Sequence, residues 1–254
     1  MKSKITVNGV YVDIPIYDVS KTSLKKNIAN KITSALGLDQ KIGESSNYAI
    51  VRALQNITIE IKSGDRIGIV GKNGAGKSTL LRVLGGIYEP TQGDITINGS
   101  VATLLDLTLG MDDEESGAAN IYLRGLILGK STEEISNVFD EIVDFSGLGE
   151  FINLPIRTYS NGMKLRLAFS ISTAFTADIL ILDEVIGVGD QDFLRKANER
   201  LDKLHEKSEI VILTSHSNEI ISTVCNKALY MEAGRIKGFG SVDEIISEYT
   251  SDRP

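Results

Sequence analysis

Gly71-Lys-Asn-Gly-Ala-Gly-Lys-Ser-Thr79 is the stretch of sequence that decides the fold. It follows an apolar run, Arg66 to Val70, and precedes Leu80-Leu-Arg-Val-Leu84, so the local order is strand, glycine-rich turn and helix. The spacing G-x-x-x-x-G-K-S/T of a phosphate-binding P-loop is met by Gly71, Gly76, Lys77 and Ser78.

The chemistry of this turn follows from its glycines and its lysine. Glycine adopts positive φ angles and lets a phosphate approach without a Cβ in the way. The N–H groups of the turn and the positive end of the next helix attract anionic oxygens. We expect Lys77 to reach the β- and γ-phosphates of ATP and the Ser78 hydroxyl to ligate Mg²⁺. The residues expected to bind the nucleotide here are Gly71, Asn73, Gly74, Ala75, Gly76, Lys77, Ser78 and Thr79.

Composition limits the setting of this site. The chain has 254 residues, 42% of them hydrophobic, enough for one large domain with a full core. Its net charge of −7 gives no support to nucleic-acid binding. The single cysteine, Cys225, rules out an internal disulfide, fits a cytosolic protein and is expected to be a buried small hydrophobe. We expect no signal peptide, because the N-terminus from Met1 to Val7 has no apolar h-region. We expect no membrane span, because no apolar run approaches roughly 18–20 residues.

The remaining segments predict an α/β fold. Strand patterns cover residues 1–19 (one or two short strands), 48–54, 57–61 and 95–105, with hairpin turns expected at Lys62–Asp65 and Asn98-Gly99. Helical patterns cover 118–128, 133–145, 148–152, 163–176, 191–207 and 242–250, and a further hairpin is expected around Ala233-Gly234. Buried strands at 179–182 and 209–214 alternate with helices. This order predicts a mostly parallel sheet with helices on both faces, an antiparallel β subdomain and a helical subdomain at about 106–176.

Residues 20–46 form an insert with its own pattern. Leu24, Ile28, Ile32 and Leu36 recur every four residues among lysines, which predicts an amphipathic helix that ends near Gly37. Packing on the domain is the simpler role for the apolar face of this helix. Contact with a partner or with the membrane surface is the alternative.

A second set of polar residues is expected near the phosphate. Asp183 and Glu184 follow the strand 179–182, and His216 follows the strand 209–214. Ligands bind beyond the carboxyl ends of the strands in such sheets, where the P-loop also lies. We expect Asp183 to hold Mg²⁺ and Glu184 to deprotonate the attacking water.

With these motifs, residues 48–240 resemble the nucleotide-binding subunits of ABC transporters. Tyr159-Ser-Asn-Gly-Met163 stands where that family has Leu-Ser-Gly-Gly-Gln, with Ser160 and Gly162 kept. The resemblance implies that this motif reaches ATP across a homodimer, so that each site is made from two chains. It also implies one nucleotide-binding domain over residues 1–254.

The resemblance further implies roles for single residues. His216 matches the histidine that contacts the γ-phosphate, which gives Lys77, Glu184 and His216 as the catalytic set. Asp190 matches the family's D-loop aspartate. Asp106 departs from the family, which has the Q-loop glutamine there. Its carboxylate can approach Mg²⁺ directly or through water. The expected metal ligands are therefore Ser78, Asp183 and Asp106.

Three features resemble the branch of this family that exports polysaccharides such as O-antigen, capsule or teichoic acid. They are the insert at 20–46, the segment Leu104–Met111 with Ala119–Leu123 after it, and Tyr159–Phe169 with Asp183–Asp190. The branch implies an ATPase on the cytoplasmic face of the membrane that drives an integral membrane permease carrying lipid-linked polysaccharide. We expect the loop from Asp106 to Asn120 to contact that transporter.

Two questions stay open at this point. The adenine ring needs an aromatic platform, and Tyr17 is favoured over Tyr48 because it matches the branch. The rival functions are an ABC exporter for a lipid or drug and a soluble ABC ATPase that acts on ribosomes or DNA. The second rival is disfavoured because the chain has one cassette and an acidic charge balance.

Overall fold

A computed structural model describes residues 2–17, 40–42, 48–183, 191–215 and 217–252, so the helix predicted between residues 23 and 36 lies outside the described residues. The chain divides into two compact units. The first unit contains Met1–Ser100, Ile181–Glu184 and Glu209–Pro254, and the second contains Val101–Leu180 and Val185–Ser208.

The first unit contains a four-stranded sheet in the order β2-β3-β1-β5. Its strands are β1 (Lys4–Tyr17), β2 (Gln40–Ile42), β3 (Tyr48–Lys62) and β5 (Gln92–Asn98). β1 is antiparallel to both of its neighbours, β3 and β5, which confirms the predicted antiparallel strands. The expectation of short N-terminal strands was wrong. β1 is one strand of 14 residues, because it pairs with β3 from Lys4 opposite Lys62 to Tyr17 opposite Tyr48.

A six-stranded sheet carries the strand that precedes the P-loop, and its order is β10-β9-β4-β8-β7-β6. The strands are β4 (Arg66–Val70), β6 (Val101–Leu104), β7 (Ile179–Asp183), β8 (Ile210–Thr214), β9 (Lys227–Glu232) and β10 (Arg235–Ser241). β4 is parallel to both of its neighbours, β8 and β9, as the α/β prediction requires. β9 and β10 form the predicted hairpin, in which Ala233 and Gly234 have φ angles of 47° and 77°.

Two other predicted hairpins were wrong, although both turns exist. The turn at Lys62–Asp65 is closed by a hydrogen bond from Asp65 N–H to the Lys62 carbonyl (2.9 Å). β4 cannot pair with β3 after this turn, because β8 and β9 occupy both of its edges. At Asn98-Gly99, β5 pairs along β1, and the turn leads the chain into β6 of the other sheet.

The helices largely follow the predicted patterns. They are α1 (Lys77–Leu84), α2 (Gly117–Ile127), α3 (Thr132–Ser146), α4 (Asn161–Thr173), α5 (Gln191–Lys207), α6 (Asn218–Val224) and α7 (Val242–Ser251). The short pieces Gly149–Asn153 and Ile156–Thr158 are 3₁₀ helices. The sequence analysis missed α6, which is only 7 residues long, and β2. In the part of the chain that is described, no helix has the length and apolarity to span a bilayer.

The helical second unit has its own apolar core. Its fully or nearly fully buried members are Ile121, Ile135, Ile142, Leu148, Ile152, Ile156, Tyr159, Leu167 and Ile171. The capping box of Ser131 and Glu134 fixes the start of α3, whose Ile135 and Ile142 point into this core.

Cys225, in the first unit, is half-buried, and burial raises the pKa of its thiol to about 12. A thiol with a raised pKa forms little of the reactive thiolate at neutral pH.

Gly125 tests the packing of α2 on α3. A Cβ at Gly125 would lie 2.5 Å from Cγ1 of the buried Ile135. We predict that Gly125→Ala lowers the free energy of unfolding by about 1–2 kcal/mol, because overpacking outweighs the higher helix propensity of alanine. Chemical denaturation measures this change.

The matched control for this test is Gly162→Ala in α4. In the described part of the chain, a Cβ there would meet only Ser160 Oγ, at 3.8 Å. Its free energy of unfolding should be unchanged or slightly raised. Equal stabilities for the two variants would contradict the packing that places Gly125 against Ile135.

Candidate nucleotide site

The P-loop connects the buried end of β4 to α1. Gly76 is the N-cap residue of α1, and none of the described side chains caps this helix end. The far end of the helix is anchored by the buried residues Leu80, Leu81, Val83 and Leu84. The first amide groups of α1 are therefore held in place without a side-chain acceptor, which is the arrangement that binds an anion.

Glycine is required at two positions of this loop. Gly76 has a φ angle of 100°, and a Cβ there would lie 2.8 Å from the Ala53 carbonyl oxygen. At Gly71 a Cβ would lie 2.4 Å from the Met231 carbonyl oxygen of β9. The loop thus packs against the backbone of β3 and β9, and any side chain at these positions would force the strands apart.

Exposure along the loop follows this packing. Gly71 and Ala75 are buried; Lys72, Asn73 and Gly74 are exposed; and Gly76, Lys77, Ser78 and Thr79 are half-buried. The Lys77 ammonium donates to the carbonyls of Gly71 (2.8 Å) and Lys72 (3.2 Å). Its charge therefore lies at the turn itself, close to the amides that start α1.

Asp183, like the P-loop, lies at the carboxyl end of a strand of the six-stranded sheet. It is the last residue of β7, and Thr214 is the last residue of β8. The Thr214 hydroxyl donates a short hydrogen bond to Asp183 Oδ1. Because Thr214 is only 3% exposed, this bond holds the carboxylate from the protein side.

The oxygen ligands available here fit Mg²⁺. The described residues hold no cluster of three acidic, histidine or cysteine side chains that could cage a metal. Mg²⁺ is usually bound by one or two carboxylates together with phosphate oxygens and water, and the Ser78 hydroxyl and the Asp183 carboxylate are oxygen groups of that kind. Their role as metal ligands stays a prediction.

Ser160 and Gly162 lie in the second unit, at the start of α4. Ser160 is the exposed N-cap residue, and its Oγ accepts a hydrogen bond from Met163 N–H (3.2 Å). Since that bond uses only an oxygen lone pair, the hydroxyl proton can still be donated. α4 begins two residues earlier than predicted, because this cap starts the helix at Asn161.

Asp106 also lies in the second unit, where it is exposed just after β6. Its carbonyl accepts from Leu109 N–H (3.0 Å), so the residue opens a turn. Its role toward Mg²⁺ stays a prediction.

Glu184, Asp190 and His216 fall outside the described residues, as do the side chains of Tyr17 and Tyr48. The backbones of these two tyrosines are opposite one another across β1 and β3.

Two buried polar residues of the second unit were missed by the sequence analysis. Asn120 is fully buried, accepts from Asp112 N–H (2.8 Å) and donates to the carbonyls of Asp112 and Ser116 (2.9 Å each). These bonds tie the start of the acidic segment Asp112-Asp-Glu-Glu115 to α2. Arg124 is 5% exposed and donates to the Leu109 carbonyl and to Ser172 Oγ (3.0 Å). Burial lowers the pKa of its guanidinium. The signal for both was a polar residue within an apolar helix pattern.

Comparison with known proteins gives consistent relatives. The model of the ABC transporter family matches residues 54–187. The O-antigen export system ATP-binding protein RfbE of Yersinia enterocolitica is 40% identical over 235 residues, covering 92% of this chain and 96% of that protein. RfbB of Myxococcus xanthus, with the same description, is 38% identical over 240 residues, covering 93% of this chain. The teichoic acids export ATP-binding protein TagH of Bacillus cereus is 38% identical over 197 residues, covering 78% of this chain.

The lengths of these relatives differ. The chain spans 55% of the RfbB protein and 36% of the TagH protein. Among solved structures, the ATP binding subunit of an ABC transporter has a TM-score of 0.67 at 18% identity, over 98% of this chain and 95% of that one. A dimeric ATP-binding cassette bound to ADP and Pi has a TM-score of 0.65 at 20% identity, over 94% and 98%.

These structural matches confirm the predicted ATP-binding cassette fold. The family match covers more than half of the chain, and RfbE aligns over nearly the full length of both proteins. On that evidence the chain belongs to the ABC transporter family.

Proposed function

We propose that this chain is the ATP-binding subunit of an ABC exporter and hydrolyses ATP as a homodimer to drive export of a polysaccharide. The observation that carries the proposal is the P-loop geometry, in which an uncapped helix end and the Lys77 ammonium share one turn. This combination suits the phosphate chain of a nucleotide.

Binding and hydrolysis use residues of the first unit. The amides of residues 71–79 and Lys77 bind the phosphates. Ser78 and Asp183 hold Mg²⁺, which neutralises charge on the phosphate oxygens. Glu184 takes the proton of the attacking water and His216 contacts the γ-phosphate, because both follow strands that end at this edge.

The second half of each site comes from the partner chain. Ser160 and Asn161, the N-cap and the first residue of α4, are exposed, and the Ser160 hydroxyl proton can be donated to a γ-phosphate. Sandwiching ATP between two chains gives ATP a higher affinity for the closed dimer. Hydrolysis removes that difference, so the population returns to the open state and the cycle can move a transporter.

The cargo and the partners are inferred from the relatives. RfbE and RfbB are described as O-antigen export proteins and TagH as a teichoic acids export protein. These names share a polysaccharide cargo. They therefore support the proposal that this subunit lies on the cytoplasmic face of the membrane and drives export of a lipid-linked polysaccharide through an integral membrane permease. These relatives favour neither a drug or lipid cargo nor a soluble ATPase that acts on ribosomes or DNA.

Glu184 gives the first test. Replacing Glu184 by Gln should slow ATP hydrolysis about 100-fold or more, since the general base is lost, while the Kd for ATP stays the same. The dimer should accumulate with ATP and dissociate with ADP, as measured by analytical ultracentrifugation. Glu219→Gln, an exposed position on α6, is the control. Unchanged turnover in Glu184→Gln would exclude Glu184 as the base.

Thr214 tests the metal site. Thr214→Val removes the donor to Asp183, so the Mg²⁺ concentration for half-maximal hydrolysis should rise about tenfold. Thr173→Val is the matched control, because Thr173 is also 3% exposed but donates to Phe169 within its own helix (2.8 Å). If both variants show the wild-type Mg²⁺ titration, the Thr214 bond does not position a metal ligand.

Gly162 tests the two-chain site. A methyl group at Gly162 has room among the residues that the structure describes, so Gly162→Ala should keep its stability. The added Cβ should nevertheless weaken ATP-driven dimerisation, by about tenfold in the dimer dissociation constant, because a phosphate has to approach the α4 backbone closely. Sedimentation of Gly162→Ala combined with Glu184→Gln measures this. ATP-driven dimerisation equal to that of Glu184→Gln alone would argue against contact with the partner's nucleotide.

A further inference from the structure

The inference starts from a β-bulge in β3. Val10 faces Ile57 and Val12 faces Leu54, so the two residues Gln55 and Asn56 lie opposite the single residue Tyr11. Asn56 has a φ angle of 52°. The bulge breaks the alternation of the strand, and Leu54 (0% exposed) and Gln55 (4%) are both buried in succession. A polar side chain is thereby turned into the first unit.

Gln55 uses its polar groups to hold the β9–β10 turn. Its backbone N–H donates to the Gly234 carbonyl (2.8 Å). Its side-chain amide donates to the Ala233 carbonyl (3.1 Å) and accepts from the exposed Arg235 (2.8 Å). Because Gln55 is buried, loss of these bonds would leave carbonyl groups without partners.

The β9–β10 turn also holds the P-loop. Gly234 N–H donates to the Ala75 carbonyl (3.0 Å). No cis peptide bond occurs among the described residues, so the Gly76 N–H points in the opposite direction to the Ala75 carbonyl. The bond from Gly234 therefore directs the Gly76 amide away from the turn and toward the open side of the P-loop.

Packing of the backbone reinforces this arrangement. The Ala53 carbonyl would lie 2.7 Å from a Cβ at Gly234 and 2.8 Å from a Cβ at Gly76. The backbones of the turn and of the P-loop thus both approach the Ala53 carbonyl of the bulged strand closely. A shift of the turn has to move the P-loop.

We propose that Gln55, Gly234 and Arg235 are positioning residues for the nucleotide, which they align through Ala75 and the Gly76 amide. This inference rests on the proposed function, because it assumes that the P-loop binds ATP. It adds that affinity for the phosphates depends on a turn of β9–β10 outside the P-loop motif.

Gly234→Ala is the first test, with Gly129→Ala as its matched control. The φ angles are 77° and 75°, but a Cβ at Gly129 would meet no atom of the described residues within 4 Å. Both variants carry similar backbone strain, and only Gly234→Ala displaces the contact with Ala53. We expect the Kd for Mg²⁺–ATP, measured by titration calorimetry, to rise about tenfold in Gly234→Ala and to stay near wild type in Gly129→Ala.

Gln55→Met and Arg235→Met provide the second test, in case Gly234→Ala does not fold. Gln55→Met keeps the side-chain length and removes both hydrogen bonds of the side-chain amide. Arg235→Met changes an exposed side chain. We expect a higher KM for ATP with kcat at saturating ATP retained in both, and a larger effect in Gln55→Met. A purely structural role would instead lower the fraction of folded protein and leave KM unchanged.

The outcomes separate this inference from the proposed function. Folded Gly234→Ala or Gln55→Met protein that binds Mg²⁺–ATP with the wild-type Kd would overturn the inference alone. Wild-type protein that does not bind Mg²⁺–ATP would overturn the proposed function and, with it, the premise of the inference.

Discussion

The rest of the structure depends on one constraint: the backbone amides between β4 and α1 must face outward with no side chain in front of them. β4 meets this need because it is held between two parallel neighbours, β8 and β9, so its carboxyl end is fixed. The Met231 and Ala53 carbonyls then press against Gly71 and Gly76 from the protein side. The packing behind the loop thus requires glycine at both positions.

The two compact units each present a helix N-terminus with different support. α1 starts at a glycine and has no capping side chain among the described residues, whereas α4 starts at Ser160, whose oxygen caps the helix while its proton is still available to donate. The first arrangement suits phosphates that are held for the whole cycle. The second suits a phosphate that arrives and leaves with a partner chain, because the helix end is already stable without it.

Sequence patterns with a strict local cause were predicted well, and long-range choices were not. The P-loop, the 191–207 helix and the Ala233-Gly234 hairpin follow from spacing alone, and the structure contains all three. The turns at Lys62–Asp65 and Asn98-Gly99 were also correct locally, but the partner of each strand is decided by free sheet edges, which no local pattern encodes. Thr214, Gln55 and Arg124 escaped notice because each acts through a residue distant in sequence.

Mixing two inactive variants tests whether each nucleotide site is built from two chains, as we propose. Lys77→Met disables the P-loop half. Gly162→Glu should disable the α4 half, because its carboxylate suits a helix N-terminus but repels phosphate. A mixed dimer contains one intact site, so the mixture should hydrolyse ATP at a rate well above either variant alone. A mixture no more active than the sum of the separate variants would contradict the two-chain site.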